Sequence, residues 1–512
     1  MAKNTILALI VVFAFVFRIS LLDRVPPSLF ADEVDIAYQV KVFKTTGTDY
    51  FGNKYPIHFH SFSDWRTSLQ IYSSIIVSNF TDNDIYIVRL PSVIYSTIGV
   101  YLIYLITGSL SAPFLLAISP WSIHYGRTGF EVSGMITCLL AAIYFYKTKK
   151  YYLFSLFLCL SPYFYSTAKL FVPIILFLFL VKHKNYKLFL LSFLLLLPMG
   201  IDTLKGHSGF RFSYINVFSL PHREQITDTL RYQDVLLSHS NEIGVVTPLY
   251  SKIFHNKLVL SLNKFIENYF ASFSTSFLFS TGDSNVRHGF GTHGLLYIID
   301  FFTLFIGLFI YKNKPTKLGH LFFYLLILAP IPFALTRDSI GPHSTRLILI
   351  LPSLIYFSSL GLKKYKYLII IYLLLFINFW HYYTIHYPQD TANVWHYNMA
   401  NSVVESQKYS YSQIYYSDKY EPFLPFFLNY FPYLKNINLN ITDTTYFSGK
   451  NLDNKYFFGN INLSNINLFP KNSLFIIPEI DNSQVTNLTL LKKIPKTYEM
   501  SQNFYIYTNN EK

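Results

Sequence analysis

The chain has 512 residues, of which 52% are hydrophobic, 19% are aromatic and only 14% are charged, and its formal net charge is +14. A soluble globular protein carries about 25% charged residues, so this composition excludes an ordinary soluble domain and indicates a polytopic membrane protein. The positive charge is typical of the Lys and Arg residues that fix membrane topology, and we expect a membrane and no nucleic acid as partner.

The first predicted element is the apolar run at 5–22. It is too long for the core of a signal peptide and no small-residue cleavage site follows it, so we interpret it as an uncleaved span. Further apolar runs of similar length bring the prediction to about eleven transmembrane helices. The predicted spans are 5–22, 86–107, 112–124, 131–147, 151–167, 169–181, 188–201, 295–311, 318–335, 344–361 and 367–382.

Short lysine-rich loops between these spans predict the topology. The loops at 147–150, 182–187, 311–317 and 363–366 hold twelve lysines and no Asp or Glu. The order of the spans puts all four on the side of the N-terminus, which the positive-inside rule assigns to the cytoplasm. We therefore predict an integral plasma-membrane (inner-membrane) protein with a cytoplasmic N-terminus. The segments predicted to lie outside are the loops 23–85 and 202–294 and the tail 383–512.

The tail after residue 382 differs from the rest in its content of Tyr, Asn and Ser. Residues 412–417 and 473–478 have the pattern of short buried strands, and 391–407 has that of an amphipathic helix. We predict a small extracytoplasmic α/β domain at 383–512, beside a transmembrane domain at 1–382.

Acidic residues stand at the entrance of the helix that follows the first span. Asp32 and Glu33 lie there, and the same loop returns to the membrane at FSDWRTSLQIY, which contains Asp64 and Arg66. Acids in this place can simply face water or complement a helix N-terminus. A carboxylate at the water–lipid boundary beside fixed cations is also typical of a general base or a metal ligand.

Basic residues and histidines collect at the predicted outer ends of the spans. Each cation alone is explained by snorkelling to lipid headgroups, but together they are suited to a phosphate pocket. A lone histidine is more often a hydrogen-bonding residue than a ligand, and no phosphate-binding glycine loop, nucleophile elbow or HExxH motif occurs. These residues are Arg66, Arg127, Lys169, Arg287, Arg337, Arg346, His288, His293 and His343.

Several blocks of the sequence, taken in order, resemble the bacterial glycosyltransferase family 39, a group of membrane-embedded enzymes with the GT-C fold related to protein O-mannosyltransferases and aminoarabinose transferases. The resemblance runs from about residue 20 to 362 and continues more faintly into the tail. It implies a GT-C-type bundle of about eleven transmembrane helices with an outer-face α/β domain. The blocks are PPSLFADEVDIAYQVKVFKTTGTDYFGNKYP, FSDWRTSLQIY, VRLPSVI, SPWSIHYGRTGFE, FYSTAKLFVP and ALTRDSIGPHSTRLILILP.

The resemblance implies transfer of a sugar from a polyprenyl-phosphate donor to an acceptor hydroxyl of a protein, lipid or glycan, with inversion. Asp32 and Glu33 stand in the place of the family's first-loop acidic pair, with Asp32 as the general base, and Glu131 matches a second-loop acid. Arg66 stands where relatives usually have Lys followed by two prolines.

The same resemblance implies a set of donor-phosphate residues, and the chemistry agrees, because a phosphate leaving group needs no acid if cations hold the departing charge. The resemblance leaves the cofactor open, since some relatives use a divalent metal and others do not. The predicted donor-phosphate residues are Arg66, Lys169, His343, Arg346 and Arg287. The candidate metal ligands are Asp64, His288 and His293.

Three other functions remain open, one of them a non-catalytic assembly or receptor protein with an outer tail domain, since an inactive relative would keep most of the fold. A GT-C-type oligosaccharide transferase or ligase would use similar residues on the same face. A transporter or flippase for lipid-linked sugars would place polar residues near the middle of several spans and show inverted repeats, whereas the span centres here are nearly free of charge.

Overall fold

The structure is a computed structural model that describes residues 3–62, 64–206, 213, 215–237, 247–337, 341–433, 437, 439–483, 485 and 487–510. Helices predominate. The helices in the first part of the chain are α1 Lys3–Ile19, α2 Ala31–Thr46, α3 Ser68–Val77, α4 Asp84–Thr107, α5 Ser111–Ile118, α6 Pro120–Tyr125, α7 Val132–Lys147, α8 Tyr151–Phe164, α9 Thr167–His183 and α10 Tyr186–Leu204.

The later helices follow the same numbering. Those before residue 366 are α11 Arg223–Leu237, α12 Leu249–Phe254, α13 Lys257–Ala271, α14 Ile298–Asn313, α15 Lys317–Leu328, α16 Ile331–Ala334, α17 Ser344–Leu347 and α18 Leu351–Lys364. The last are α19 Ile369–His381, α20 Tyr387–Thr391, α21 Met399–Ser406, α22 Leu424–Tyr430 and α23 Glu479–Asn482. Short 3-10 turns occupy Val217–Ser219, Ile348–Ile350, Lys366–Leu368 and Leu463–Leu468, and π turns occupy Ser276–Ser280 and Tyr382–His386.

Each predicted span coincides with one or more of these helices. Among the described residues, five helical segments are long and apolar enough to cross a membrane: Asp84–Thr107, Tyr186–Leu204, Lys317–Ala334, Ser344–Lys364 and Lys366–Thr391. This confirms the prediction of a mostly helical chain with several apolar spans. The count of eleven spans and the sides on which the termini lie stay predictions.

The chain forms two compact units. The first consists of Met1–Val11, Ile98–Ser122 and Met135–Leu375, and the second of Val12–Thr97, Ile123–Gly134 and Phe376–Lys512. These units do not follow the predicted domain boundary at 382/383, because the second unit combines the tail with α2, α3 and the surrounding loops.

Helices α14 and α18 pack closely in the first unit. A Cβ added to Gly307 would lie 1.8 Å from the carbonyl oxygen of Phe357, and one added to Gly361 would lie 2.2 Å from that of Thr303. Only glycine allows the two backbones to come so near, which is the usual device for packing helices in membranes.

The second unit contains two sheets. The small one pairs β1 His58–His60 with β2 Trp65–Thr67 in antiparallel fashion. The strands of the large one are β3 Gln413–Ser417, β4 Leu439–Asp443, β5 Phe447–Leu452, β6 Tyr456–Ile461, β7 Ser473–Pro478, β8 Thr489–Ile494 and β9 Phe504–Thr508. They lie in the order β4-β5-β6-β3-β7-β9-β8, in which β6, β3 and β7 are parallel and the other pairs are antiparallel.

The tail therefore has the α/β structure predicted for it, with one difference. Strands β3 and β7 lie within one residue of their predicted bounds, and β7 is buried along its whole length, as expected for a strand covered on both faces. The predicted helix at 391–407 is helical over Met399–Ser406 but is interrupted before that, because His396 and Asn398 have φ values of 53° and 74°. A backbone in the left-handed region cannot continue a right-handed helix.

Helix α2 belongs to the core of this sheet domain. Val34, Tyr38 and Val42 on one side of α2 pack with Met399 of α21, Phe427 of α22 and residues of β3 and β7 in one buried cluster. The tail therefore holds the helix whose first turn carries the predicted catalytic acids.

Candidate active site

The acidic residues at the start of α2 point in two directions. The first turn contains Asp32 and Glu33, and Asp35 follows one turn after Asp32. Residues three apart share a helix face, whereas neighbours are separated by about 100°, so Asp32 and Asp35 lie together and Glu33 faces elsewhere. Carboxylates here also complement the positive end of the helix dipole.

Arg66 on β2 binds both acids of the first face. Its Nη2 lies 2.6 Å from Oδ1 of Asp32, and its Nε lies 2.6 Å from Oδ2 of Asp35. Its Nη1 lies 3.9 Å from Oε1 of Glu131. One guanidinium thus faces three carboxylates, and the structure brings together three of the predicted site residues, Asp32, Arg66 and Glu131.

The members of this group differ in their access to solvent. The Asp35 side chain is 4% exposed, Arg66 12% and Glu131 13%, whereas Asp32 is 52% exposed. Burial alone would lower the pKa of Arg66, but the charges of the three carboxylates outweigh it and raise that pKa well above its ordinary value. Asp32 is therefore the carboxylate that a molecule arriving from solvent can reach, beside a guanidinium that stays charged.

Asp35 is held from its other side by Tyr50. The phenol donates to Oδ1 of Asp35 at 2.7 Å and accepts the backbone N–H of Phe62 at 3.0 Å. Burial raises the pKa of Asp35, while Arg66 and Tyr50 favour its charged form. Asp35 therefore connects the helix, the loop before β2 and the guanidinium that contacts Asp32.

Glu33 lies in a separate, closed ion pair. Its two oxygens accept from Nε and Nη2 of Arg89 at 3.0 and 2.8 Å, and the Gly129 N–H donates to Oε1 at 2.6 Å. Both side chains of the pair are 0% exposed. The remaining donors of Arg89 bind the carbonyl oxygens of Leu22, Pro26 and Ser28. The arrangement suits Glu33 to fixing the start of α2 rather than to contact with a substrate.

The stretch GRTGFE brings Glu131 to the site. Nη1 and Nη2 of Arg127 donate to the carbonyl oxygens of Phe17, Arg18, Leu21 and Val25 around the end of α1. A Cβ added to Gly129 would lie 2.4 Å from Cγ1 of Val88 and 3.0 Å from Cγ of Glu33, so only glycine fits there. This anchoring makes Arg127 a structural cation.

A second group of predicted residues lies in the first unit. His343 and Arg346 line a cavity of about 920 Å³ together with Arg337, Lys264 and Asp283. Neither Lys169 nor Arg287 is among its described lining residues; the backbone N–H of Arg287 donates to the Asn285 side chain.

Asp283 organises one wall of this cavity. Its Oδ2 accepts from the backbone N–H and the hydroxyl of Ser344 at 2.7 and 3.0 Å and lies 3.8 Å from Nδ1 of His343. Burial raises the pKa of Asp283 despite these hydrogen bonds. The predicted metal candidate His288 instead pairs its Nδ1 with the Thr345 hydroxyl at 2.9 Å, and its ring lies 4.7 Å from that of His343.

The predicted metal ligands do not form a cluster: among the residues that the structure describes, no group of three or more His, Cys, Asp or Glu could hold a metal ion. Asp64 accepts the N–H of the adjacent Trp65 at 2.7 Å and belongs to the second unit, whereas His288 and His293 belong to the first. Burial lowers the pKa of His293.

Sequence reasoning noted Asp35 at the helix entrance without giving it a role, and it gave none to Tyr50 or Arg89. Asp35 was recognisable as the i+3 partner of Asp32 on one helix face. Arg89 stands alone in the apolar run IYIVRLPSVI, and an ionisable residue in such a run usually has a buried partner. Nothing local indicated Tyr50, because only the fold brings its hydroxyl to Asp35.

Comparisons with known proteins leave the family open. No family model and no curated protein matches the chain. Among solved structures it is similar to the crystal structure of ArnT from Cupriavidus metallidurans in the apo state, with 9% identity, a TM-score of 0.41, and coverage of 98% of this chain and 97% of that chain. A match at this TM-score supports neither a fold nor a function, and the resemblance to family 39 stays a prediction.

Proposed function

We propose that the protein is an integral membrane glycosyltransferase of the GT-C type. It moves a sugar from a polyprenyl-phosphate donor to an acceptor hydroxyl on the extracytoplasmic face, with inversion and with Asp32 as the general base. The observation that carries the proposal is the ion pair between the half-exposed carboxylate of Asp32 and the largely buried guanidinium of Arg66, in a region that resembles the first-loop acidic block of family 39.

The chemistry follows from that contact. The Asp32 carboxylate takes the proton of the acceptor hydroxyl as its oxygen attacks the anomeric carbon. The bond between that carbon and the phosphate oxygen breaks, and polyprenyl phosphate leaves with the electron pair. A single displacement inverts the configuration. Arg66 holds the carboxylate in one orientation, because Asp35 fixes the guanidinium through Nε at 2.6 Å.

The role of Arg66 differs here from a plain phosphate contact. Its Nε and Nη2 already bind carboxylates, and Nη1 faces Glu131. We assign it to orienting Asp32, and its predicted phosphate contact stays a prediction. Glu131 is the proposed partner for the acceptor hydroxyl or for the base, as the resemblance implies.

The cavity in the first unit is the proposed site for an anionic headgroup. Arg337 and Arg346 line it with Lys264, against the acids Asp283 and Glu267. Lys264 lies 2.8 Å from Glu267, and these two charges balance each other. Among the described lining residues, the two arginines then face only one further carboxylate, Asp283, so the cavity has an excess of positive charge. A phosphate suits such a pair of guanidiniums. Phosphate contacts by Lys169 and Arg287 stay predictions.

The deciding experiment compares wild type with Asp32→Asn in proteoliposomes supplied with a panel of polyprenyl-phosphate sugars. We expect the variant to bind donor normally and to lose about 10²–10⁴-fold in turnover, the usual scale for a general base. Asp82→Asn is the matched control, because Asp82 lies in an exposed loop before α4. Equal turnover in the two variants would remove Asp32 from the mechanism.

The same assay separates the alternatives. Transfer from oligosaccharide-linked donors alone would favour a ligase. Movement of intact donor across the bilayer without a new glycosidic product would favour a transporter and contradict the proposed function.

A further inference from the structure

Two helices in the first unit expose large apolar side chains. On α13, Leu258, Leu262, Ile266 and Phe270 are 69%, 51%, 43% and 68% exposed. Their spacing of four residues places them in one stripe along the helix. The preceding helix, α12, continues this surface with four more exposed side chains. These are Leu249, Tyr250, Ile253 and Phe254.

The stripe is not the result of a loosely attached helix. The opposite side of α13 is buried, where the Ser261 hydroxyl donates to the Val217 carbonyl at 3.0 Å and the Asn268 amide donates to the Thr336 carbonyl at 2.6 Å. A third side carries Lys264 and Glu267, which line the cavity described above. Polar contacts thus fix the rotation of α13 and turn its apolar side outward.

The end of an apolar span marks the level at which α13 lies. The Asn268 amide donates to the carbonyl oxygens of Ala334 at 3.4 Å and Thr336 at 2.6 Å, at the end of α16. Together α15 and α16 form the segment Lys317–Ala334, which is long and apolar enough to cross a membrane. The neighbouring Tyr269 hydroxyl donates to the Ile327 carbonyl of α15 at 2.9 Å, and α15 exposes Tyr324 and Ile327, so the stripe adjoins the outward-facing apolar surface of this span.

Helix α13 is unsuited to crossing the membrane itself. Its 15 residues correspond to about 22 Å at 1.5 Å per residue, short of the roughly 30 Å of hydrocarbon. It also carries Asn263, Lys264 and Glu267. A helix with one apolar stripe and one charged side, held at the end of a span, has the features of a helix that lies in the plane of a bilayer surface.

We propose that α12 and α13 lie in the headgroup–acyl boundary of the phospholipid bilayer, with the stripe toward the acyl chains. The occupant of this surface is lipid, because the stripe adjoins the apolar surface of the span and carries no charged group. One consequence rests on the proposed function: the polar side of a lipid-seated helix forms a wall of the cationic cavity, so a lipid-borne phosphate would reach the cavity from the membrane plane.

The test places an environment-sensitive NBD label at Leu262→Cys and, as the matched control, at the adjacent Asn263→Cys. The full-length protein is reconstituted in phosphatidylcholine vesicles that contain a nitroxide on the acyl chain near the headgroup. We expect a blue-shifted emission and several-fold stronger quenching at position 262 than at 263. Labelled wild type supplies the background, because Cys138 and Cys159 are both buried.

A second pair, Ile266→Cys and Glu267→Cys, repeats the comparison one turn further along. Equal quenching within both pairs would overturn the proposal. So would protection of position 262 that grows with protein density in the vesicles, because that result would identify a second copy as the occupant. The readout does not depend on turnover, so its outcome and the outcome of the glycosyltransferase assay are independent.

Discussion

Glu33 and Arg89 form a two-point ion pair from which solvent is excluded, with oxygen–nitrogen distances of 3.0 and 2.8 Å. The pair joins the first turn of α2 to α4, and other N–H groups of Arg89 donate to the carbonyl oxygens of Leu22 and Pro26 in the loop between α1 and α2. It thereby fixes the helix entrance on which Asp32 stands.

Breaking this pair should be costly. We expect Glu33→Gln to destabilise the protein by about 3–5 kcal/mol, because the variant leaves a buried guanidinium without its counter-charge. Apparent melting temperature in detergent measures the effect. Glu405→Gln is the control, since its partner Lys408 is 64% exposed and such a pair contributes at most about 1 kcal/mol. If the two variants have the same apparent melting temperature, the buried pair does not stabilise the structure.

Gly129 should tolerate no side chain. We expect Gly129→Ala to cost about 1–3 kcal/mol, because its Cβ would lie 2.4 Å from Cγ1 of Val88. Adding Val88→Ala should recover part of the loss. Gly200→Ala serves as the control, since a Cβ there meets nothing within 4 Å. Equal thermal stability of the two single alanine variants would contradict the predicted clash.

Asp35 and Arg66 should act on turnover through Asp32. We expect Asp35→Asn and Arg66→Lys each to lower kcat by about 10–100-fold. Asp35→Asn removes the negative charge that holds the Arg66 guanidinium in place. Arg66→Lys replaces a planar group that binds two carboxylates with a single ammonium. The double variant should lose less than the sum of the two effects. Donor KM should stay unchanged. A rise in donor KM in Arg66→Lys alone would indicate instead that Arg66 contacts the phosphate.

Asp418 should make the stability of the second unit depend on pH. Burial raises the pKa of this carboxyl to about 7, although its oxygen accepts the Phe423 N–H at 2.8 Å. The folded state therefore binds the proton more tightly than the unfolded state. The stabilisation that protonated Asp418 gives to the folded state is complete at pH values below its ordinary pKa of 3.8. This stabilisation is lost as the pH rises through about 7, at up to about 1.4 kcal/mol per pH unit.

Asp418→Asn removes the titrating group and keeps the acceptor oxygen for Phe423. We expect the variant to melt at a similar temperature at pH 5 and pH 8, and above wild type at pH 8. Asp443 lies at the exposed end of β4, so Asp443→Asn should show the same change of melting temperature with pH as wild type. A slope that persists in Asp418→Asn would assign the pH dependence to another group.

The sequence predicted well those features that depend on local pattern. Long apolar runs located the helices, and short apolar runs located β3 and β7, because a span or a buried strand is defined by its own residues. The predicted helix at 391–407 was too long, since the backbone conformations of His396 and Asn398 are imposed by packing rather than by the periodicity of the side chains.

The site was predictable only in part for a related reason. The acidic entrance of α2 indicated Asp32 as a candidate, but which guanidinium meets which carboxylate depends on contacts between residues far apart in the chain. Arg66 is 34 residues from Asp32, and Arg89 is 56 residues from Glu33. Pairings at such separations arise from tertiary structure, so the division of the acids between an exposed and a sealed ion pair could not be read from the order of residues.

The packing of α2 on the C-terminal sheet has a consequence for how the protein can be made and dissected. A fragment that stops near residue 382 would lack the side chains that cover Val34, Tyr38 and Val42. The apolar side of α2 would then be exposed to solvent. The first turn of α2 therefore depends on the tail for its stability. If the chain is divided at this point, the two fragments should be co-expressed so that α2 can pack on the sheet.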